Sequence, residues 1–272
     1  MNIYISADIE GVAGVVVPQH AHPGNAEYER ARRLMTEEVN AAIEGALEAG
    51  ATGILVNDSH GPMINLLPEL LHPEADLILG KPKPFNMAAG LSTAFDAVFL
   101  IGHHASAGTG GVLAHTSNSF AFRQVRLAGR PHGEPGVYGA YAGMLGVPVA
   151  LISGDDLTAE ENRPFFPHAE FVTVKTALGA RAARQVSIER ARGLIRAGAR
   201  RALQRLADMA PYTVPGPFVA EFEMNTTALA DQMAVLPPAR RLDSTTVAFD
   251  CASAADAVGW MTALSAMSAV LK

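Results

Sequence analysis

A single cysteine, Cys251, is the only thiol in this 272-residue chain. An internal disulfide is therefore excluded, and a reducing, cytoplasmic compartment is the expectation. Charged residues are sparse as well, at 18%, and their balance is a net −6. That sign gives no hold on a phosphate backbone, so no nucleic-acid partner is expected. Long apolar runs are missing: none reaches the about 18 residues of a membrane span, so no membrane partner is expected either. The first residues enter a strand pattern at once, without the basic segment and cleavage site of a secretory leader. What the chain does have is apolar content, 49% of its residues, which fits a folded core rather than disorder. Its length suits one large α/β domain or two modest ones; a single domain over residues 1–272 is the expectation.

Strand and helix patterns alternate along the chain. After a first strand at 2–7, residues 28–47 place Tyr28, Ala31, Met35, Val39, Ala42, Ile43 and Leu47 at helical spacing, with Gly50 as the stop. Residues 52–56 then read as a buried strand, completing a β-α-β unit. Further strands are expected at 76–79, 97–101, 121–127, 147–152, 171–174, 218–222 and 245–249, and helices at 137–144, 187–206 and 253–271. This alternation implies an α/β fold: a doubly wound, mostly parallel sheet with helices on both faces and a smaller α+β part inserted. A minor subdomain is expected around residues 105–210. Pro211–Pro217 and Pro237–Pro238 are the best candidate joints.

The strand ends carry the chemistry. The first apolar strand runs directly into Asp8 and Glu10, two acids that need a counter-charge, for which a metal is the simplest source. The second delivers Asn57-Asp58-Ser59-His60-Gly61, and the strand at 97–101 delivers Gly102-His103-His104. Neighbouring parallel strands would bring these loops to one edge of the sheet. An Asp/Glu/His/His set suits zinc or a similar divalent ion. Side chains of successive strand residues point to opposite faces, so only one of His103 and His104 is expected to reach a metal, and spacing does not choose between them. The glycine-rich stretch 107–111 lacks the spacing and lysine of a phosphate loop; a flexible loop carrying His115 towards the site explains it as well. Glu134, between Gly133 and Pro135 and just before a helix, reads on its own as an acid favoured by the helix dipole.

Taken together, the stretches SADIEGVAGV, NDSHGPMINL, IGHHASAGTGGVLAHTSNS, GEPGVYG, VPVALISGDD and VTVKTALG resemble the zinc-dependent D-aminopeptidases of the dipeptide-permease operon type. They fall in the family's order and span nearly the whole chain, most weakly after about residue 180. The resemblance implies two Zn2+ per subunit, or other divalent metals, held by Asp8, Glu10, His60, His104 and Glu134. It thus selects His104 over His103 and gives Glu134 a role beyond the helix dipole. It also implies a catalytic role for His115, in its Ala-His-Thr context. Two positions depart from the common pattern: His103 stands where tyrosine is frequent, and Ser106 where a basic residue often appears.

The implied activity is hydrolysis of short peptides from the N-terminus, those beginning with a D-residue such as D-Ala-D-Ala, by metal-activated water. His115, left off the metals, would move the proton or stabilise the oxyanion. A homo-oligomer, a decamer by family resemblance, is the implied assembly. The rival readings are a two-metal hydrolase of another amide or a phosphoester, and a peptide- or metal-binding protein without turnover. His20, His22, His72 and His168 read as loop or turn residues, and Asp155-Asp156 as supporting or helix-capping acids. Arg192, Arg196 and Arg200 read as a solvated or subunit-contacting helix face.

Overall fold

The computed structural model describes residues 1–272, and its first strand, β1 (Asn2–Ala7), shows how the layers form. Ile3, Ile5 and Ala7 project into one hydrophobic core, whereas Tyr4 projects into the other. Such alternation between two buried faces marks a strand inside a sheet covered on both sides. The core under Ile3 and Ile5 is closed by α1 (Ala26–Glu48), which Asn25 caps by accepting from the Tyr28 N–H at 3.0 Å. The chain then forms β2 (Gly53–Asp58), β3 (Asp76–Ile78) and β4 (Ala97–Ile101). In β4 the division repeats: Ala97, Phe99 and Ile101 face α1, and Val98 and Leu100 the opposite core.

Next come β5 (Phe122–Leu127), β6 (Arg130–His132), α2 (Glu134–Met144), β7 (Val149–Asp155), α3 (Asp156–Asn162), β8 (Glu170–Gly179), β9 (Ala182–Gln185) and α4 (Ile188–Gln204). The chain closes with β10 (Phe218–Met224), α5 (Thr227–Ala234), β11 (Arg240–Arg241), β12 (Thr246–Cys251) and α6 (Ala254–Met267). Seven strands build the main sheet in the order β3-β2-β1-β4-β7-β8-β9, parallel throughout except for β9 at one edge. Five build a second, antiparallel sheet in the order β11-β12-β10-β5-β6. The α/β fold with a smaller α+β part is therefore present.

The segment 105–210 does not form a unit of its own. Its β5 and β6 join the second sheet, while β7, β8 and β9 extend the first. The second sheet is completed by β10 and β12, strands remote in sequence; Phe222 of β10 packs on Phe122 of β5 and on Phe249 of β12. Pairing over such a distance leaves no mark on any one strand. Pro211–Pro217 lies between α4 and β10 and so carries the chain from one sheet's layer to the other; the prolines at 237–238 are a loop within the second sheet.

Two sequence readings need correction. With its short 3-10 continuation, the last helix runs from Ala254 to Leu271, 18 residues that are long and apolar enough to cross a membrane by composition alone. Here Val258, Met261 and Leu264 are buried in the core, and Trp260 stacks on Phe249 at 4.3 Å. Likewise, the α4 arginines do not form a merely solvated face. Arg192 pairs with Glu37 of α1, Arg196 with Glu44 at 2.9 Å and with Glu48, and Arg200 with Glu48 at 3.7 Å. The arginines are four residues apart on α4, and the acids seven and four apart on α1, so each row follows one helix face.

What positions the site is the placing of β1 between β2 and β4. Ala7 stands level with Asp58 on one side and Ile101 on the other, so three loops leave the sheet side by side. This is the switch-point edge at which open α/β sheets hold their ligands.

Candidate metal centre

Backbone contacts draw the first and third of these loops together. Asp8 N–H donates to the Ile101 carbonyl at 2.8 Å, and Gly11 N–H to the Gly102 carbonyl at 2.7 Å. Both glycines are needed: a Cβ on Gly11 would overlap the His103 carbonyl oxygen, and one on Gly102 the Asp8 carbonyl oxygen. Gly102 also has φ +71, a conformation that only glycine adopts freely. That turn ends strand alternation before either histidine. Ring nitrogens of both His103 and His104 lie in clusters with Asp8, within 4.8 Å of its carboxylate.

Asp8 occupies the middle. Its Oδ1 is 3.2 Å from His60 Nδ1, and its Oδ2 is 3.3 Å from His104 Nε2. Glu10 closes one side, with Oε2 3.0 Å from His60 Nδ1. Glu134, first residue of α2, closes the other, with Oε1 3.4 Å from His104 Nε2 and accepting from the Ser117 N–H at 2.5 Å. His115 stands at the rim, its Nε2 3.8 Å from Glu134 Oε1. Its side chain is 21% exposed, against 11% or less for the other five.

The electrostatics are those of an anion cluster. Asp8, Glu10 and Glu134 are all buried. Burial alone would neutralise the imidazoles, yet the carboxylates of Glu10, Glu134 and Asp8 hold His60 and His104 well above the usual histidine range. Burial likewise acts to raise the carboxyl of Asp8, but His104 and His60 hold it well below its ordinary value, and His104 does the same for Glu134. Three buried carboxylates on two histidines leave a demand for further positive charge.

Each histidine is pre-set to meet that demand. The second ring nitrogen lies against a backbone carbonyl in every case: His60 Nε2 on Ala21 at 2.7 Å, His104 Nδ1 on Ala105 at 2.9 Å, His115 Nδ1 on Leu113 at 3.0 Å. A carbonyl only accepts, so that nitrogen carries the hydrogen. Without a metal the neighbouring carboxylates favour a proton on the other nitrogen of His60 and His104 as well; a bound cation would replace that proton and meet the nitrogen lone pair. His104 Nε2 and Glu10 Oε2 are buried and form no hydrogen bond. A cation among these groups would take up that unused bonding capacity, and a carbonyl behind the ring is the usual support of a histidine that binds a metal. The residues present thus fit a divalent metal site.

A profile of the D-aminopeptidase family matches residues 1–263. The chain belongs to that family. It is 38% identical over 250 residues to a D-aminopeptidase of Bacillus subtilis (strain 168), covering 92% of this chain and 91% of the relative. Its fold is similar to that of the Zn-dependent D-aminopeptidase DppA from Bacillus subtilis, a self-compartmentalizing protease. The TM-score is 0.96 at 34% identity, over 99% of this chain and 98% of that one.

Within this family member, further residues support the site; Lys175 and Asn65 escaped the sequence reading, whereas Asp155 was expected as a supporting or capping acid. Lys175, fully buried in β8, donates to the carbonyls of Glu10 at 2.5 Å, Val12 at 3.0 Å and Val15 at 2.6 Å, and so shapes the loop that carries Glu10. A lone lysine in an otherwise apolar strand pattern was the available signal. Asn65 donates to the His60 carbonyl at 2.6 Å and is itself held by Asp58 and Tyr28. Asp155 caps α3 through Thr158 and accepts from the Val112 N–H at 2.7 Å, tying down the loop before His115. Leu113 N–H and His115 N–H are bonded as well, to Ala180 and Ala105, so that loop is pinned rather than flexible. His20 accepts from the Val16 N–H inside its own loop, and His22 meets the Pro18 carbonyl; neither reaches the cluster. Ser106, at the position where a basic residue is frequent, donates through N–H and Oγ to Glu161 at 2.8 and 2.9 Å.

Proposed function

We propose that the chain is a two-metal, zinc-dependent D-aminopeptidase that hydrolyses short peptides from the N-terminus, D-Ala-D-Ala among them. Asp8, Glu10, His60, His104 and Glu134 would hold the ions in this reading, with the two Asp8 oxygens facing His60 and His104 separately. The observation that carries it is the common setting of the histidines: one nitrogen on a backbone carbonyl, the other aimed at a buried carboxylate. Family membership supports the peptidase activity, and the zinc dependence of DppA supports the choice of metal. That relative is self-compartmentalizing, which supports a homo-oligomer here, with a decamer as the specific proposal. A cytoplasmic location completes it.

Bound divalent ions would supply a water ionised at neutral pH and a Lewis acid for the scissile carbonyl. The remaining work falls to the chain. Walls of buried side chains around Asp8 and His104 keep bulk water from the carboxylates. His115, with Nδ1 fixed on the Leu113 carbonyl, presents Nε2 at the rim, where it takes a proton from the attacking water and returns it to the departing amine. The test is hydrolysis of D-Ala-D-Ala, L-Ala-L-Ala and p-nitrophenyl phosphate by zinc-loaded protein, with and without chelator. Chelator-sensitive cleavage of the D-dipeptide alone is expected; cleavage of the phosphate ester, or of none, rejects the reading.

A further inference from the structure

His103 is fully buried, yet neither of its ring nitrogens makes a well-formed hydrogen bond, the Ser6 backbone being the one polar group close to the ring's nitrogens that favours its charged form through a hydrogen bond. Buried polar groups are normally paired, so two poorly paired nitrogens on one ring call for a physical reason. Slack in the backbone is not that reason. The His103 N–H donates to the Ser153 carbonyl at 3.0 Å, and its own carbonyl oxygen packs where neither Gly11 nor Gly154 could carry a Cβ. The ring is thus held in place with its nitrogens poorly satisfied.

One of those nitrogens lies within 4.8 Å of carboxylate oxygens of both Asp8 and Glu134. No hydrogen bond joins them. Donors that share one ion, each about 2.0–2.2 Å from it, stand about 3–4 Å apart, which falls within that limit. The same Asp8 and Glu134 edge faces His104 Nε2 at 3.3 and 3.4 Å.

We propose that His103 is a further nitrogen ligand for a divalent cation held by Asp8 and Glu134. The inference rests on the reading that this cluster binds divalent cations. It is particular to this chain, since tyrosine is frequent at the position and a neutral phenol is a poor ligand. An added imidazole strengthens the preference of that ion's site for zinc or cobalt over manganese.

The test uses the full chain, stripped of metal and titrated with cobalt and zinc against a chromophoric chelator, as wild type, His103→Tyr and His103→Phe. Wild type should take up two ions. In both variants one of the two should bind at least about tenfold more weakly, with a changed visible absorption band for that cobalt. A residue that merely fills the core would lower thermal stability and leave the band unaltered. Identical affinities and spectra in all three proteins overturn the proposal. So does a zinc-bound crystal structure with the His103 nitrogens beyond about 2.5 Å from either ion. Failure of the wild type to bind cobalt instead defeats the metal-site reading itself, which keeps the two failures apart. Should His103→Phe not fold, His103→Tyr carries the comparison.

Discussion

The imidazole of His115 lies flat on that of His104, with ring centroids 4.1 Å apart and planes 14° from parallel. Stacking fixes the plane of His115, and the Leu113 carbonyl fixes its tautomer. On either side the backbone is bent through left-handed conformations at Leu113 (φ 54) and Ser117 (φ 59), which non-glycine residues adopt only when their surroundings impose it. A histidine held so firmly, and the most exposed of its cluster, is placed to act on something arriving from solvent.

Replacing His115 with Ala removes the stacked ring and leaves the five proposed ligands intact. The variant should retain its metal and lose turnover by ~10²–10⁴-fold. Metal analysis beside steady-state kinetics on a D-dipeptide checks both halves. A His115→Ala protein with normal kcat removes the residue from the mechanism.

Asp8→Ala has the opposite signature. Its two oxygens face His60 and His104 separately, so the substitution strips a shared carboxylate from both sides of the cluster. Metal content should fall at one or both sites, and activity with it, while the far-UV spectrum stays native. Full occupancy by mass spectrometry of the intact holo-protein would contradict the assignment.

How much of this was legible beforehand depends on the kind of contact. The strands of the main sheet are short apolar runs that end in polar residues, and 97–101 is observed with the expected bounds. Parallel neighbours then place Asp8, His60 and His104 at one edge by topology alone. Glu134 was harder, because an acid at the start of a helix has a sufficient local explanation, and only the fold carries α2 back to β1. The antiparallel sheet was hidden because β5 pairs with β10, a strand remote in sequence that in turn pairs with β12, and β6 because Pro131 made it look like a loop. Lys175 and the arginines of α4 share one cause: a charge's partner lies on another element, and a single strand or helix pattern cannot name it.

Lys175 offers a test of how the Glu10 loop is held. Burial pushes its ammonium down to about 8, yet three carbonyls of residues 10–15 depend on its hydrogens. Lys175→Met leaves them buried and unpaired, which should cost about 3–5 kcal/mol. Zinc affinity should weaken as well, because Glu10 loses its anchor. Urea unfolding of the metal-free protein measures the first effect and chelator competition the second. Unchanged zinc affinity in a destabilised variant would confine Lys175 to the fold.

Glu38 gives a pH signature separate from the metal cluster. Its side chain lies inside α1, with Oε1 accepting from the Ala13 N–H at 2.9 Å and Oε2 unpartnered. Burial raises it from 4.5 to about 7, with the Ala13 bond and Lys175 opposing the shift. Between those values the folded chain keeps a proton that the unfolded chain has released. The stabilisation is therefore complete below about pH 4.5 and is lost as pH rises through about 7, by roughly 3 kcal/mol in all. Glu38→Gln is neutral at every pH and lacks this decline. Metal-free wild type and variant, unfolded in urea from about pH 5 to 8, should differ most in favour of wild type at the acid end, with the difference shrinking up to pH 7 and then levelling. His60 and His104 titrate in both proteins and cancel in the comparison, so a difference constant with pH would mean that Glu38 is ionised throughout.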